Sequence, residues 1–249
     1  MPRTMLSDDL WVRLHPVLIK MNIYDKPNLR NTVEGILYRI RVGCPWRDLP
    51  ESFGKWESIY KRFNEWSKSK KVKKLFQKLI NSPDLEWIFA DGSVVKAHQH
   101  SMGAIQGEEH AIGKSVAGNS TKMHMVVDSY GLPLHFVVTE GQIHDSKEAE
   151  SLFDACLKPK YWIADRGYDK EELREHIRNA GATPIIPRKK NSKEGNEDID
   201  WYLYKLRHLV ENVFARLKHF RAIATRFDKF KRNFEATLAL ACAYLWLPL

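Results

Sequence analysis

Two apolar runs in this 249-residue chain end on acids. Leu85-Glu86-Trp87-Ile88-Phe89-Ala90 leads into Asp91-Gly92-Ser93, and Tyr161-Trp162-Ile163-Ala164 leads into Asp165-Arg166-Gly167. A third acid, Glu211, lies in the stretch WYLYKLRHLVENVFARLK (residues 201–218) with Tyr204, Arg207 and Lys218. Three carboxylates in one crevice cannot all stay ionised without a cation, because each negative charge raises the pKa of the others. Hard oxygen donors suit Mg²⁺ or Mn²⁺, which keep waters and bind phosphates. Two such ions about 3.5–4 Å apart can activate a water or a 3′-hydroxyl and stabilise the leaving oxygen of an in-line displacement. The chemistry open to this set is phosphoryl transfer. Taken singly, each acid also has an ordinary use: Asp91 and Asp165 as turn formers beside Gly92 and Gly167, Glu211 as an ion-pair partner of Arg207 or Lys218 on a solvated helix face.

The elements that must position these groups are two central strands and one helix. Uniform apolarity predicts strands buried on both faces, and side chains at strand ends of an α/β sheet line a common crevice. On a continuous helix over 201–218, at about 100° per residue, Tyr204, Arg207, Glu211 and Lys218 form one polar stripe beside an apolar face of Leu203, Leu206, Val210, Val213, Phe214 and Leu217. Lys122–Asp128 and Leu132–Thr139, separated by Ser129-Tyr130-Gly131, read as an antiparallel hairpin with Asp128 as a turn acid. Helices are expected at Ser146–Leu157 and Lys170–Ala180, a strand at Thr183–Ile186, a linker over 188–198 and a last helix at Phe234–Trp246. Residues 98–120 read as a loop. Its His98, His100 and His110 lack zinc-ligand spacing and read as solvated histidines. His144-Asp145, after the hairpin, is a further pair that could approach the site.

Residues 7–80 read as helices: one capped by Ser7, one over Asn28–Val42 stopped by Gly43, one over Ser58–Trp66 and a basic one over Lys68–Leu79. Short helices, a turn-rich CPWRDLPESFGKW segment and the basic run Lys61, Arg62, Lys68, Lys70, Lys71, Lys73, Lys74 suit a DNA-binding unit of helix-turn-helix type, or a helical cap with a solvated face. Asn81-Ser82-Pro83-Asp84 marks the boundary: a helical domain over 1–83 and an α/β domain over 84–249. The 40 Lys and Arg against 31 acids, a formal charge of +9, favour a polyanionic partner. Arg216, Arg221, Arg226, Lys229, Lys231 and Arg232 read as a DNA track or a solvated face. Three cysteines without paired spacing argue against a disulfide framework or a zinc site. The N-terminus lacks an apolar signal core and the apolar end, ATLALACAYLWLPL, is too short to span a bilayer, so no membrane role and a cytoplasmic location are expected.

These residues resemble insertion-sequence transposases of the Asp-Asp-Glu type. Tyr204, Arg207, Glu211 and Lys218 match the Tyr-x2-Arg-x3-Glu-x6-Lys motif of the insertion-sequence-four and -five group at every spacing. Asp91-Gly92-Ser93 and Ala164-Asp165-Arg166-Gly167-Tyr168 resemble its two aspartate blocks, and Trp46–Pro50 its N-terminal domain. The resemblance implies an α/β, ribonuclease H-like (retroviral integrase-like) catalytic core behind a small all-helical domain. It implies that Asp91, Asp165 and Glu211 bind two Mg²⁺ ions, with Mn²⁺ as substitute, while Tyr204, Arg207 and Lys218 contact DNA. It implies a homodimer that binds double-stranded terminal inverted repeats, cleaves the element ends and joins the 3′ ends to target DNA by transesterification. A nuclease that cuts without joining, and a DNA-binding regulator built on a dead core, are the alternatives.

Overall fold

A computed structural model describes residues 3–103, 109–116, 118–156 and 159–249. In chain order the helices are α1 (Asp8–Lys20), α2 (Leu29–Val42), α3 (Trp56–Lys68), α4 (Lys71–Leu79), α5 (Ala149–Asp154), α6 (Glu171–Asn179), α7 (Trp201–Lys205), α8 (His208–Lys218), α9 (Arg221–Ala224) and α10 (Lys231–Trp246). The strands are β1 (Trp87–Ala97), β2 (Gly113–Ser115), β3 (Gly118–Val127), β4 (Pro133–Glu140), β5 (Tyr161–Ala164), β6 (Thr183–Ile185) and β7 (Thr225–Arg226). They fall into two compact units, one drawn from 1–81, 97–110 and 217–249, the other from 82–96 and 111–216.

The first unit is helical. Ser7 caps α1 by accepting the Leu10 N–H at 3.3 Å, and Gly43 ends α2 in the left-handed conformation, φ 72°, that a residue without Cβ adopts freely. Alternating turns of α2 bury Val33, Ile36, Leu37 and Ile40, and α3 and α4 add Ile59, Phe63, Val72, Leu75 and Phe76. Their common partner is α10, buried nearly all round from Phe234 to Ala243. A helix apolar on every side belongs in a core, which is the use this chain makes of its C-terminal apolar stretch. Compact packing thus groups 217–249 with the N-terminal helices, whereas the sequence cut at 83/84 groups it with the sheet. No helix among the described residues is long and apolar enough to cross a membrane.

Several buried polar groups in this unit are paired. The Glu34 carboxylate accepts the Met5 and Leu6 amides at 2.7 and 2.9 Å, and Arg39 meets Asp228, itself bonded by the Thr237 hydroxyl at 2.9 Å. Arg226, expected on a basic surface, is fully buried. Its guanidinium donates to the carbonyls of Asp228 and His110, and burial lowers its pKa to about 10. Lys231 is likewise engaged, with Glu109. The expected basic face of α3 and α4 is also partly consumed: Lys73 pairs with Glu235 at 2.9 Å and Lys71 donates to the Asn22 carbonyl at 2.8 Å. Lys61, Lys68, Lys70 and Lys74 stay exposed.

The second unit is built on a mixed sheet. β3 pairs antiparallel with both β1 and β4, while β5 runs parallel to β1 and β6 parallel to β5. Leaving the short β2 aside, the five strands in chain order take the spatial order 3-2-1-4-5, the ribonuclease H-like arrangement that the resemblance implies. The hairpin falls where expected. Its Asp128 is a turn acid, accepting the Tyr130 and Leu132 amides at 3.0 and 2.8 Å. The central strands are buried on both faces: Ile88, Phe89, Ala90, Trp162, Ile163 and Ala164 are inaccessible. One face packs Ile88, Ala90, Trp162 and Ala164 against Leu152 and Phe153 of α5 and Leu173 and Ile177 of α6.

Several elements differ from expectation. The expected loop over 98–120 carries β2, and β3 begins inside it at Gly118. β1 does not stop at Ala90 but pairs with β3 as far as Lys96, so Asp91 sits within a strand. Its short polar neighbours Gly92 and Ser93 read locally as a turn, yet the ladder with β3 satisfies their backbone. α5 is shorter than its expected span, of which residue 157 lies outside the described residues. Finally, the expected continuous helix over 201–218 is two helices.

At the far end of the sheet, Arg174 of α6 is wholly buried. It donates to Asp169 at 3.2 and 2.9 Å and to the Ile186 carbonyl. Burial opposes ionisation of Asp169, but the Lys189 amide and Arg174 outweigh it and hold the carboxyl below its ordinary value. Removing one partner of such a pair strands a buried charge, so Asp169→Ala is expected to cost about 3–5 kcal/mol at neutral pH. Because the folded pKa is depressed, this contribution is complete above the ordinary carboxylate range and is lost as pH falls on through the lowered folded value. Urea denaturation of both proteins at pH 7 and pH 3 checks this: the gap should be wide at pH 7 and narrower at pH 3.

Candidate active site

The parallel register between β1 and β5 pairs Phe89 with Ile163 and Ala90 with Ala164, so the next residues, Asp91 and Asp165, emerge side by side. Asp165 leaves its strand and caps the turn Arg166–Tyr168, its Oδ1 accepting the Gly167 N–H at 2.7 Å. Asp91 Oδ1 accepts the Gly92 N–H at 2.7 Å, and its Oδ2 accepts Arg207 Nη1 at 2.8 Å. The other arm of the guanidinium, Nη2, donates to Glu211 Oε1. Arg207 therefore bridges the first and third acids.

This bridge depends on the helix break. Between α7 and α8 the amides of Leu206, Arg207, Leu209 and Val210 bond to carbonyls three residues back, at 3.0–3.2 Å. That tightening re-aims Arg207 and starts a new helix at His208. The single polar stripe expected over 201–218 does not survive it, since angles counted along one helix fail across Leu206-Arg207. Asp200 caps α7, accepting the Tyr202 and Leu203 amides at 2.9 and 3.0 Å. Tyr204 lies half-buried on α7 with its ring edge-on to Trp201 at 5.7 Å. Lys218 is the exposed last residue of α8, belonging to the helical unit.

The electrostatics follow from burial. Asp91 is 17 % exposed, and burial pushes its pKa up despite the Gly92 amide and Arg207, with the charge of Asp165 adding to the rise. Burial works against Arg207, but Asp91 and Glu211 outweigh it and hold its pKa up. Glu211, paired with Arg207, is 53 % exposed. The compensating cation that three acids require is, in this fold, the guanidinium of Arg207.

The donor set, two carboxylates at adjacent strand positions and a third on a neighbouring helix, fits a hard divalent cation in kind. It is not assembled as a cage: among the described residues no group of three His, Cys, Asp or Glu stands ready to hold a metal ion. His98 and His100 pack together, with His98 stacked on Phe227 at 4.5 Å, and neither belongs to such a group.

Sequence reasoning named His144-Asp145 only as a pair that could come near, and missed the partners of Asp145. Asp145 receives Lys122 Nζ on Oδ2 at 3.2 Å, and its Oδ1 lies 3.1 Å from His124 Nδ1. The alternation of β3 places Lys122 and His124 on one face; nothing local to either residue points to Asp145. Tyr168, in the turn after Asp165, is buried with its hydroxyl unpartnered among the described residues, and burial raises its pKa far above the ordinary value.

The profile of the family described as "Transposase DDE domain" matches residues 83–246, and that of "Putative transposase of IS4/5 family" matches residues 6–76. The chain is 40% identical over 129 residues to the Brucella ovis protein named "Putative transposase for insertion sequence element IS6501", covering 51% of this chain and 98% of that one. It is 32% identical over 136 residues to the Burkholderia cepacia protein named "Putative transposase for insertion sequence element IS402", covering 50% and 62%. Among solved structures, the Mos1 transposase paired-end complex aligns with 90% of this chain and 82% of its own at 7% identity and a TM-score of 0.29, too slight a likeness to argue from. The chain belongs to the transposase DDE domain family, whose enzymes cut and join DNA with divalent metal ions.

Proposed function

We propose that this protein is the transposase of an insertion sequence, which binds the element's terminal inverted repeats, cleaves its ends and joins the freed 3′-hydroxyls to target DNA. The observation that carries the reading is the emergence of Asp91 and Asp165 from adjacent parallel strands with Glu211 tied to Asp91 through Arg207. Asp91, Asp165 and Glu211 would hold two Mg²⁺ ions, or Mn²⁺ in their place. When bound, the ions supply charge for the attacking and leaving oxygens. Arg207, freed from the acids, offers a planar fork of donors to the phosphate next to the cut. Tyr204 and Lys218 extend that contact along the backbone.

Residues 1–83 form the DNA-binding domain in this reading and 84–249 the catalytic domain. An open cleft in the helical unit, lined by Lys26, Lys55, Lys61 and Arg62, supports the first assignment. The enzyme works as a homodimer on DNA, in the cytoplasm. The test is incubation with supercoiled plasmid carrying the element's ends, with Mg²⁺, Mn²⁺ or EDTA. Metal-dependent nicks at the ends followed by joined products, both lost in Glu211→Gln, are expected. Nicks without joined products would favour a nuclease, and binding without nicks a regulator with a dead core.

A further inference from the structure

Gly92 stands beside Asp91 in β1, and side chains alternate along a strand, so the two residues face opposite sides of the sheet. Asp91 faces Arg207 and α8; Gly92 shares its face with Ile88, Ala90 and the α5–α6 layer. The space a side chain would take at Gly92 is filled by the carboxylate of Asp145, which a Cβ at that position would overlap. That carboxylate is held from β3. Gly92 pairs with His124 and Val94 with Lys122, which sets both side chains on the Gly92 face. Lys122 Nζ and His124 Nδ1 lie 3.2 and 3.1 Å from the two oxygens, and the far nitrogen of His124 meets Thr139 Oγ1 of β4 at 2.8 Å. His124 is completely buried.

Only His124 is fully buried in this network of Thr, His, Asp and Lys, and a polar network packed on a sheet is costly unless its members are fixed by one another. Here it spans β4, β3 and β1 and ends on the backbone directly behind Asp91. We propose that Asp145 is a positioning residue for Asp91, acting through the Gly92 backbone and held in turn by Lys122 and His124. Asp145 lies against the face of β1 opposite to the Asp91 side chain. The inference rests on the proposed metal-binding role of Asp91.

Mn²⁺ affinity of the full chain, measured by electron paramagnetic resonance without DNA, tests it in a double-mutant cycle. Asp145→Asn is expected to weaken Mn²⁺ binding about 10–100-fold, the usual effect of losing a group that orients a ligand. In an Asp91→Asn background the same change is expected to do nothing, because its route is gone. Lys122→Met, which leaves Asp145 in place, should reproduce the loss. An equal loss in both backgrounds, or none in either, overturns the proposal, as does unfolding of both Asp145→Asn and Lys122→Met, which would make the network structural only. Failure of the unsubstituted chain to bind Mn²⁺ contradicts the metal reading of the site as well.

Discussion

Asp91→Asn and Asp165→Asn should each lower end cleavage by at least about 1,000-fold while leaving binding of inverted-repeat DNA within about threefold. The asymmetry follows from where these acids sit. Both emerge from buried parallel strands into the same crevice, and neither is needed to present the exposed lysines of α3 and α4. An amide keeps the shape of the side chain but cannot carry the charge a dication needs, and phosphoryl transfer is catalysed chiefly by positioning the reactants and stabilising charge in the transition state. The two variants should differ in folding. Asp165→Asn keeps an oxygen to cap the turn at Gly167, so its stability should barely change. Ionised Asp91 is opposed by burial, and its folded pKa is raised, so its ionisation costs stability as pH rises above the ordinary carboxylate range. Asp91→Asn should therefore be as stable as the unsubstituted chain or slightly more so at pH 7. Rates from plasmid cleavage, binding from gel shift and melting curves on the same preparations check all three statements.

The second large effect is expected at Arg207. Its guanidinium bridges Asp91 and Glu211 in the free chain, and in the proposed reaction it turns to the phosphate. Arg207→Ala should lower cleavage about 100–1,000-fold, the range for loss of one preorganised charge donor. Mn²⁺ binding should be kept or tightened, since a competing positive charge has gone from beside two ligands. Arg207→Lys should not restore cleavage, because an ammonium cannot span two acceptors as a planar fork does. Parallel loss of cleavage and Mn²⁺ binding in Arg207→Ala would contradict this division of roles and make the residue a support for the acids.

What the sequence made visible, and what it hid, divides along the range of the interactions. Asp91 and Asp165 could be found because uniform apolar runs mark central strands, and the hairpin because Ser129-Tyr130-Gly131 separates two β-rich runs. Ser7 and Gly43 were readable as helix ends because capping is local chemistry. The break at Leu206-Arg207 was not, since no Gly or Pro marks it and the apolar period continues across it. The length of β1 was hidden because pairing with β3, some 30 residues on, overrides the turn-like Asp91-Gly92-Ser93. For the same reason Arg226 looked like surface charge: the carbonyls of Asp228 and His110 that bury it are supplied by the fold. Asp145 shows the limit most plainly. Its partners lie on a strand more than 20 residues earlier, and its purpose concerns a glycine more than 50 residues earlier.

The central claim is that the acids are metal ligands, and exchange of ligand softness tests it most directly. Asp91→Cys and Asp165→Cys replace a hard oxygen with a sulfur that holds Mg²⁺ poorly and Mn²⁺ or Cd²⁺ better. End cleavage by each variant should vanish in Mg²⁺ and return, at least in part, when Mn²⁺ or Cd²⁺ is supplied, while the unsubstituted enzyme keeps its Mg²⁺ activity. Folded, DNA-binding variants that cleave normally in Mg²⁺, or that no softer metal revives, would contradict it.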